Sequence, residues 1–295
     1  MERRDFIKII AAGSLTLLGK GFIGVRSGFP YQAALSVSTE ELVGKEPPPL
    51  SGDSAHLKLR KLAFEAFSDM RREARRDQIE IDAVSSYRDF AHQRRIWNRK
   101  FAAHIAEGLS SEEAIARIVK YSAIPGTSRH HWGTEVDVID AASKPQPKDD
   151  PLQGKYFEKG GPFEDLGGWL RENAGRYGFF QVYTDDPARN GFAYEPWHIS
   201  FAELSIPLLK QFLEASIERY VVDKTVKGSR SFSREFLLRY NKHYGLGINR
   251  CLIPPEARPS CPKPHPDHDH LVEAMACRYA EGTHLLRRQR WKRQE

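Results

Sequence analysis

Two short blocks constrain this chain more than any other feature. They are Ser128-Arg129-His130-His131-Trp132-Gly133-Thr134-Glu135-Val136-Asp137 and Glu195-Pro196-Trp197-His198. A catalytic zinc takes about three nitrogen or oxygen ligands and keeps one position open. His130 and Asp137 supply a nitrogen and a carboxylate oxygen, and His198 offers a second nitrogen. A fold that uses them must bring two distant segments together. Gly133 lets the chain bend before a strand over Thr134–Ile139, where β-branched residues alternate. In that strand Val136 and Val138 point to one side and Asp137 to the other. Glu195 suits the part of general base rather than ligand. A carboxylate beside an activated water takes its proton and later passes it to a leaving amine. Strict alternation would set Glu195 and His198 on opposite faces. Pro196 disfavours a regular ladder, so a bend or bulge is expected to bring both inward.

The surrounding pattern is helices with a few mostly antiparallel strands, hence α+β. Residues 35–53, with Glu46-Pro47-Pro48-Pro49 and Ser51-Gly52-Asp53, read as a linker. A helix is expected from Ser54 to about Arg76, then a strand over Ile79–Val84. Helices follow through Gln93 and Trp97 to about Ile105, and from the cap Ser110-Ser111-Glu112-Glu113 to about Tyr121. Glu164–Tyr177 reads as a helix stopped by Gly178. Phe179–Tyr183 and Gly191–Ser200 read as paired strands, and a helix over Ile206–Arg219 closes the core. The unit that carries the two blocks is thus expected over 54–221. Residues 222–295 form a C-terminal extension, with one more helix at Ser233–Tyr244, an irregular stretch over 251–270 and a terminal helix over 271–290.

Charge narrows the class of partner. The net charge is +6, and residues 1–34 carry five basic residues against Glu2 and Asp5. The remainder is too mildly basic to argue for nucleic acid. Arg287, Arg288, Arg290, Lys292 and Arg293 read as a solvated tail. Glu2-Arg3-Arg4-Asp5-Phe6-Ile7-Lys8 followed by an apolar stretch to Val25 is similar to a twin-arginine export signal, which gives residues 1–34 to export. No other segment approaches the ~18 apolar residues of a membrane span. The expected location is beyond the bacterial inner membrane, with the twin-arginine translocation machinery as a partner. Cys251, Cys261 and Cys277 permit one disulfide in such a compartment, and the pairing stays open.

The motif pair S-x-H-x-x-G-x-x-x-D and E-x-W-H resembles the VanY-type zinc D-alanyl-D-alanine carboxypeptidases. These are peptidoglycan peptidases that share a fold with the hedgehog signalling domain. Ser85-Ser86-Tyr87-Arg88 and the downstream Gln93 look like that family's S-x-Y-R segment and its Gln. The resemblance spans about residues 55–205. It implies one zinc ion on His130, Asp137 and His198, with Glu195 as catalytic base. It implies that Arg88 binds substrate or steadies the oxyanion. Ser128 would hydrogen-bond near the peptide's terminal carboxylate, with Gln93 and Ser86 in the same binding region. The substrate would be a peptidoglycan stem peptide, trimmed of its terminal D-amino acid. The sequence departs from the pattern at Glu135, where relatives often have a small residue. It is expected either to face solvent opposite the core or to alter the pocket's charge.

Two rival functions share these motifs. One is an endopeptidase that cuts within the stem or a cross-bridge by the same chemistry. The other is a zinc-stabilised binding module without turnover, against which Glu195 argues. Lesser features have simpler expectations. His131 is a residue behind the ligands or at the surface. Arg88 has the competing role of an ion pair with Asp82 or Asp89. Asp140 caps a strand end, and Asp165 and Trp169 belong to an amphipathic helix. His265, Asp267, His268, Asp269 and His270 read as a flexible segment rather than a metal site. The oligomeric state is left open.

Overall fold

The computed structural model describes residues 35–258. The export signal, Cys261, Cys277, the histidine-rich stretch, the terminal helix and the basic tail lie outside the described residues. The chain begins with α1 (Thr39–Leu42), β1 (Leu50–Ser51), β2 (Leu59–Arg60), α2 (Lys61–Ala74), β3 (Ile81–Ser85), α3 (Phe90–Ala106) and α4 (Ser111–Ile118). It continues with β4 (Glu135–Asp140), α5 (Glu164–Asn173), β5 (Phe179–Tyr183), β6 (Glu195–Phe201), α6 (Ala202–Glu214), α7 (Glu218–Val221) and α8 (Arg234–Tyr240). Four strands form one antiparallel sheet in the order β3-β4-β6-β5, and β1 and β2 pair separately. The architecture is α+β, a small antiparallel sheet between helices.

Period-two alternation sorts the side chains of the sheet between two clusters. Val136, Val138, Ile81, Ala83, Phe179, Ile199 and Phe201 pack against α2 and α5, through Phe67, Met70, Leu166 and Trp169 among others. The opposite face, with Glu135, Asp137, His198 and Ser200, is polar and nonetheless buried. A second apolar cluster, built from α3, α4, α6 and the segment after Val221, lies beside it.

Several expected boundaries moved, each because a distant bond outweighs local pattern. The helix expected from Ser54 starts only at Lys61. The preceding residues are held extended: Lys58 N–H donates to the Ser86 hydroxyl (2.7 Å) and Arg60 N–H to the Gly133 carbonyl (2.8 Å). The stretch read as a linker contains α1, and Leu42 and Val43 are buried in the second cluster. The Trp132 indole N–H donates to the Leu42 carbonyl at 3.1 Å. The expected features at Ser110 and Gly178 are both present. Ser110 and Glu113 form a reciprocal capping box, and Gly178 stops its helical segment at φ +76°.

The extension after Val221 is bonded into the same body. The Trp97 indole donates to the Lys227 carbonyl (2.9 Å), and Asn98 exchanges hydrogen bonds with Thr225 O and Lys227 N–H, each 2.8 Å. Asn249 closes the outer edge of β5, donating to the carbonyls of Val182 (2.8 Å) and Gln181 (3.0 Å). Phe232 packs edge-on against Trp97 at 5.9 Å and stacks on Phe236 at 5.4 Å. Phe232→Ala is therefore expected to cost about 3–5 kcal/mol in urea unfolding. A loss below about 1 kcal/mol would show that the extension contributes little to the core.

Candidate metal and catalytic site

The two motif blocks meet on the polar face of the sheet. Asp137 on β4 pairs directly with His198 on β6. His130 sits in a single helical turn, Arg129–Trp132, just before β4. Gly133 ends that turn at φ +67°, and a Cβ there would lie 2.8 Å from the Leu50 side chain. Glycine is thus required by both backbone and space.

Two bulges aim the remaining groups. Gln181 pairs with Ile199 and Tyr183 with Glu195, so β6 spends four residues where β5 spends two. Pro196, which has no N–H for a ladder, lies in that looped stretch. As a result Glu195 reaches the His198 side, with its Oε2 3.1 Å from His198 Nδ1. On the other flank, Ala83 pairs with Val138 and Ser85 with Asp137, leaving Val84 as an extra residue in β3. Ser85 is thereby set opposite Asp137.

Ligand-capable atoms of His130, Asp137 and His198 all lie within 4.8 Å of one another, and all three residues are buried. His130 Nε2 is 3.4 Å from Asp137 Oδ2, and His198 Nδ1 is 3.9 Å from Asp137 Oδ1. The outward nitrogens are anchored: His130 Nδ1 bonds the Ser86 carbonyl at 2.6 Å, and His198 Nε2 bonds Glu135 Oε2 at 3.1 Å. Asp137 Oδ1 is buried and accepts no hydrogen bond. An orphaned carboxylate oxygen between two inward-facing imidazoles fits a cation, and a two-nitrogen, one-oxygen donor set fits zinc.

Burial and mutual contact shift the titration of all three residues. Burial raises the Asp137 carboxyl to about 6, although His198 and Arg88 oppose the shift. Burial acts to lower the pKa of His198, yet its bonds to Glu135 and Glu195 hold it up at about 10. His130 is driven well below its ordinary value by burial, with Arg88 and His198 adding to the effect. Before metal arrives, the cluster therefore keeps one positive charge as the His198 imidazolium.

The other expected site residues divide. Arg88 donates from Nη1 to Gln93 Oε1 (2.8 Å) and from Nη2 to the Ser85 hydroxyl (3.0 Å), and Nη2 lies 3.7 Å from Asp137 Oδ2. It faces the cluster, and its partners are neither Asp82 nor Asp89. Gln93 is fully buried and also donates to the Ala123 carbonyl at 2.8 Å, so it positions Arg88. Ser86, expected among the substrate-binding residues, spends its hydroxyl elsewhere. It donates to the His56 carbonyl (2.6 Å) and accepts from Lys58 N–H, which ties down the loop that holds His130. Ser128 is buried at the start of the His130 turn.

His131 is fully buried behind the site rather than at the surface. Its Nδ1 bonds the Arg88 carbonyl at 2.5 Å and its Nε2 accepts from Gly126 N–H at 3.2 Å. With both nitrogens engaged and its pKa lowered to about 4 by burial, it braces the backbone of Arg88. Trp197 packs on Phe157 at 5.9 Å, under the sheet, and Asp140 caps the strand end by accepting from Glu80 and Ala142 N–H.

Glu135 requires a correction. Of its two expected placements, exposure to solvent is overturned: the structure buries it completely behind His198, where its charge bears on the cluster. Alternation alone places it two residues before Asp137 and hence on the same face, which was the available signal. Ser85 stands in the S-x-Y-R segment, but its place opposite Asp137 was not foreseen, and Arg129 was missed. Their roles depend on a bulge and on a buried ion pair with Glu135, neither of which has a local pattern.

Zinc binding should displace the His198 proton, and below about pH 6 the Asp137 proton as well. Affinity should therefore rise with pH. Its logarithm should climb by about one unit per pH unit from about pH 6 toward 10, and more steeply below about 6. A zinc titration against a competing chelator measures this slope. A flat profile around neutral pH contradicts the assignment.

With this geometry established, comparison with known proteins becomes informative. The family model for VanY, described as D-alanyl-D-alanine carboxypeptidase, matches residues 56–204, just over half of the 295 residues. An uncharacterised Haemophilus influenzae protein is 37% identical over 89 residues, covering 30% of this chain and 68% of that protein. An Enterococcus faecalis D-alanyl-D-alanine carboxypeptidase is 31% identical over 129 residues, covering 43% of this chain and 42% of the enzyme. The chain thus spans less than half the length of that relative. A solved vancomycin-resistance D,D-pentapeptidase, VanY, in complex with Zn(II), aligns at 24% identity with a TM-score of 0.42, covering 60% of this chain and 94% of that one.

Proposed function

Since the chain belongs to the VanY family of D-alanyl-D-alanine carboxypeptidases, we propose that it is an exported zinc-dependent carboxypeptidase. It removes the terminal D-amino acid from peptidoglycan stem peptides. The observation that carries this reading is the convergence of His130, Asp137 and His198 within 4.8 Å, with Glu195 3.1 Å from His198 Nδ1. A purely structural site needs no adjacent base.

His130 Nε2, Asp137 and His198 Nδ1 would hold one zinc ion. When bound, it supplies a Lewis acid that acidifies water and polarises the scissile carbonyl. The chain's own residues carry the rest. Glu195 takes the proton of the attacking water on a carboxylate oxygen and later delivers it to the nitrogen of the departing D-amino acid. Arg88, its guanidinium locked by Gln93 and Ser85, presents a fixed positive charge beside the cluster for the developing oxyanion or the substrate. Ser128, at the start of the His130 turn, is assigned to the terminal carboxylate of the peptide. His131 and the Ser86 loop keep Arg88 and His130 in place.

The decisive assay incubates the zinc-loaded protein with a muropeptide ending in D-alanyl-D-alanine and follows released D-alanine by mass. Glu195→Gln should lower kcat by about 10²–10⁴-fold with zinc content retained. Undiminished turnover in that variant contradicts the mechanism, and products cut inside the stem would indicate an endopeptidase.

Export rests on Arg3-Arg4 and the apolar stretch that follows. Among the described residues, no helix is long and apolar enough to cross a membrane. Replacing both arginines by lysine should leave the protein in the cytoplasmic fraction of cells. Unimpaired export would remove the twin-arginine route.

A further inference from the structure

His198 stands between two carboxylates. Its Nδ1 is 3.1 Å from Glu195 Oε2 and its Nε2 is 3.1 Å from Glu135 Oε2. A neutral imidazole has one N–H, and the nitrogen that donates it cannot ligate a metal. If the N–H sits on Nδ1, it points at Glu195. The lone pair is then on Nε2, turned away from Asp137, and the base is tied up. If it sits on Nε2, Nδ1 is free toward Asp137 and Glu195 is released for water.

The two carboxylates are held very differently. Glu195 lies in the looped stretch of β6, and its side chain retains 17% exposure. Glu135 has none. On β4 it pairs with Ser200 of β6, whose hydroxyl donates to Glu135 Oε1 at 2.7 Å. The Thr134 hydroxyl (3.0 Å) and Arg129 Nη2 (3.1 Å) bond the same oxygen. Arg129 Nη2 also donates to the Ser200 hydroxyl at 2.9 Å, and its guanidinium stacks on the Trp132 ring at 4.8 Å. With Oε1 triply bonded, Oε2 is the oxygen left for His198. A buried, ionised acceptor fixed on all sides is a strong claim on one proton position.

We infer that Glu135 is a positioning residue that fixes the His198 N–H on Nε2, and so selects the tautomer whose Nδ1 binds zinc and leaves Glu195 free. The inference rests on the reading that the cluster binds zinc. It adds a requirement for a carboxylate at Glu135, the position where this sequence departs from the resemblance. The Arg129–Ser200–Thr134 frame exists to hold that carboxylate.

The test uses the full chain and Zn²⁺ alone as the probe, in competition with a chromogenic chelator. Failure of the wild-type protein to bind zinc would defeat the underlying functional reading. If the wild type binds, Glu135→Ala should weaken zinc about 10–100-fold. Glu135→Gln should not rescue binding, because the three donors hold its amide oxygen and its NH2 then faces His198 Nε2. The metal-free variants are first checked for native circular dichroism and cooperative melting. A folded Glu135→Ala protein with affinity within about twofold of wild type overturns the inference. Imidazole nitrogen NMR of the zinc-loaded wild type decides independently of whether the alanine variant folds. A proton on Nδ1 of His198 refutes the inference.

Discussion

The direct pairing of Asp137 with His198 across β4 and β6 is the constraint on which the rest depends. It brings a carboxylate and an imidazole into contact from segments far apart in sequence. Because alternation is strict along β4, the same pairing commits Val136 and Val138 to the apolar cluster beneath and Glu135 to the polar face. A slip of β4 by one residue would send Asp137 into the hydrophobic layer and both valines into the site. Packing against α2 and α5 therefore protects the chemistry, since it penalises any slip that exchanges the two faces.

Burying so many charges is tolerable only because each has a counterpart. Glu135 answers to Arg129 and His198, and Asp137 and Glu195 share His198 and Arg88. Asp137 Oδ1 is a buried oxygen with no donor, and Arg129 Nε and Nη1 are likewise buried without an acceptor, the guanidinium lying over the Trp132 ring instead. The imbalance at Asp137 is what a cation would correct. The bulges at Val84 and around Pro196 are part of the same arrangement. They turn Ser85 and Glu195 inward where a regular ladder would not, and bulges recur beside active sites for this reason.

Much of the site was legible because its residues obey short-range rules. His130, Gly133 and Asp137 sit at a turn and a strand start, and Pro196 announces a broken ladder. The helices at Ser111 and Glu164 follow from a capping box and a stop at Gly178. What was not legible depends on partners distant in sequence. Nothing near Ser54 shows that Lys58 and Arg60 will be claimed by Ser86 and Gly133. Ser86 lies inside the S-x-Y-R segment and was expected to bind substrate, but its hydroxyl is spent on the backbone of His56 and Lys58. Leu42 and Val43 sit in a stretch with little periodicity and still enter the core, because Trp132 reaches across to them. Glu135 resembles a surface residue until Arg129 and Ser200 are placed beside it.

X-ray absorption at the zinc edge of the loaded protein tests the central claim most directly. Imidazole scattering from His130 and His198 should appear with nitrogens at about 2.0–2.1 Å, together with a carboxylate oxygen at about 2.0–2.2 Å. It should diminish by one imidazole in His198→Ala. A sulfur shell at about 2.3 Å, or a spectrum unchanged in His198→Ala, would contradict the account.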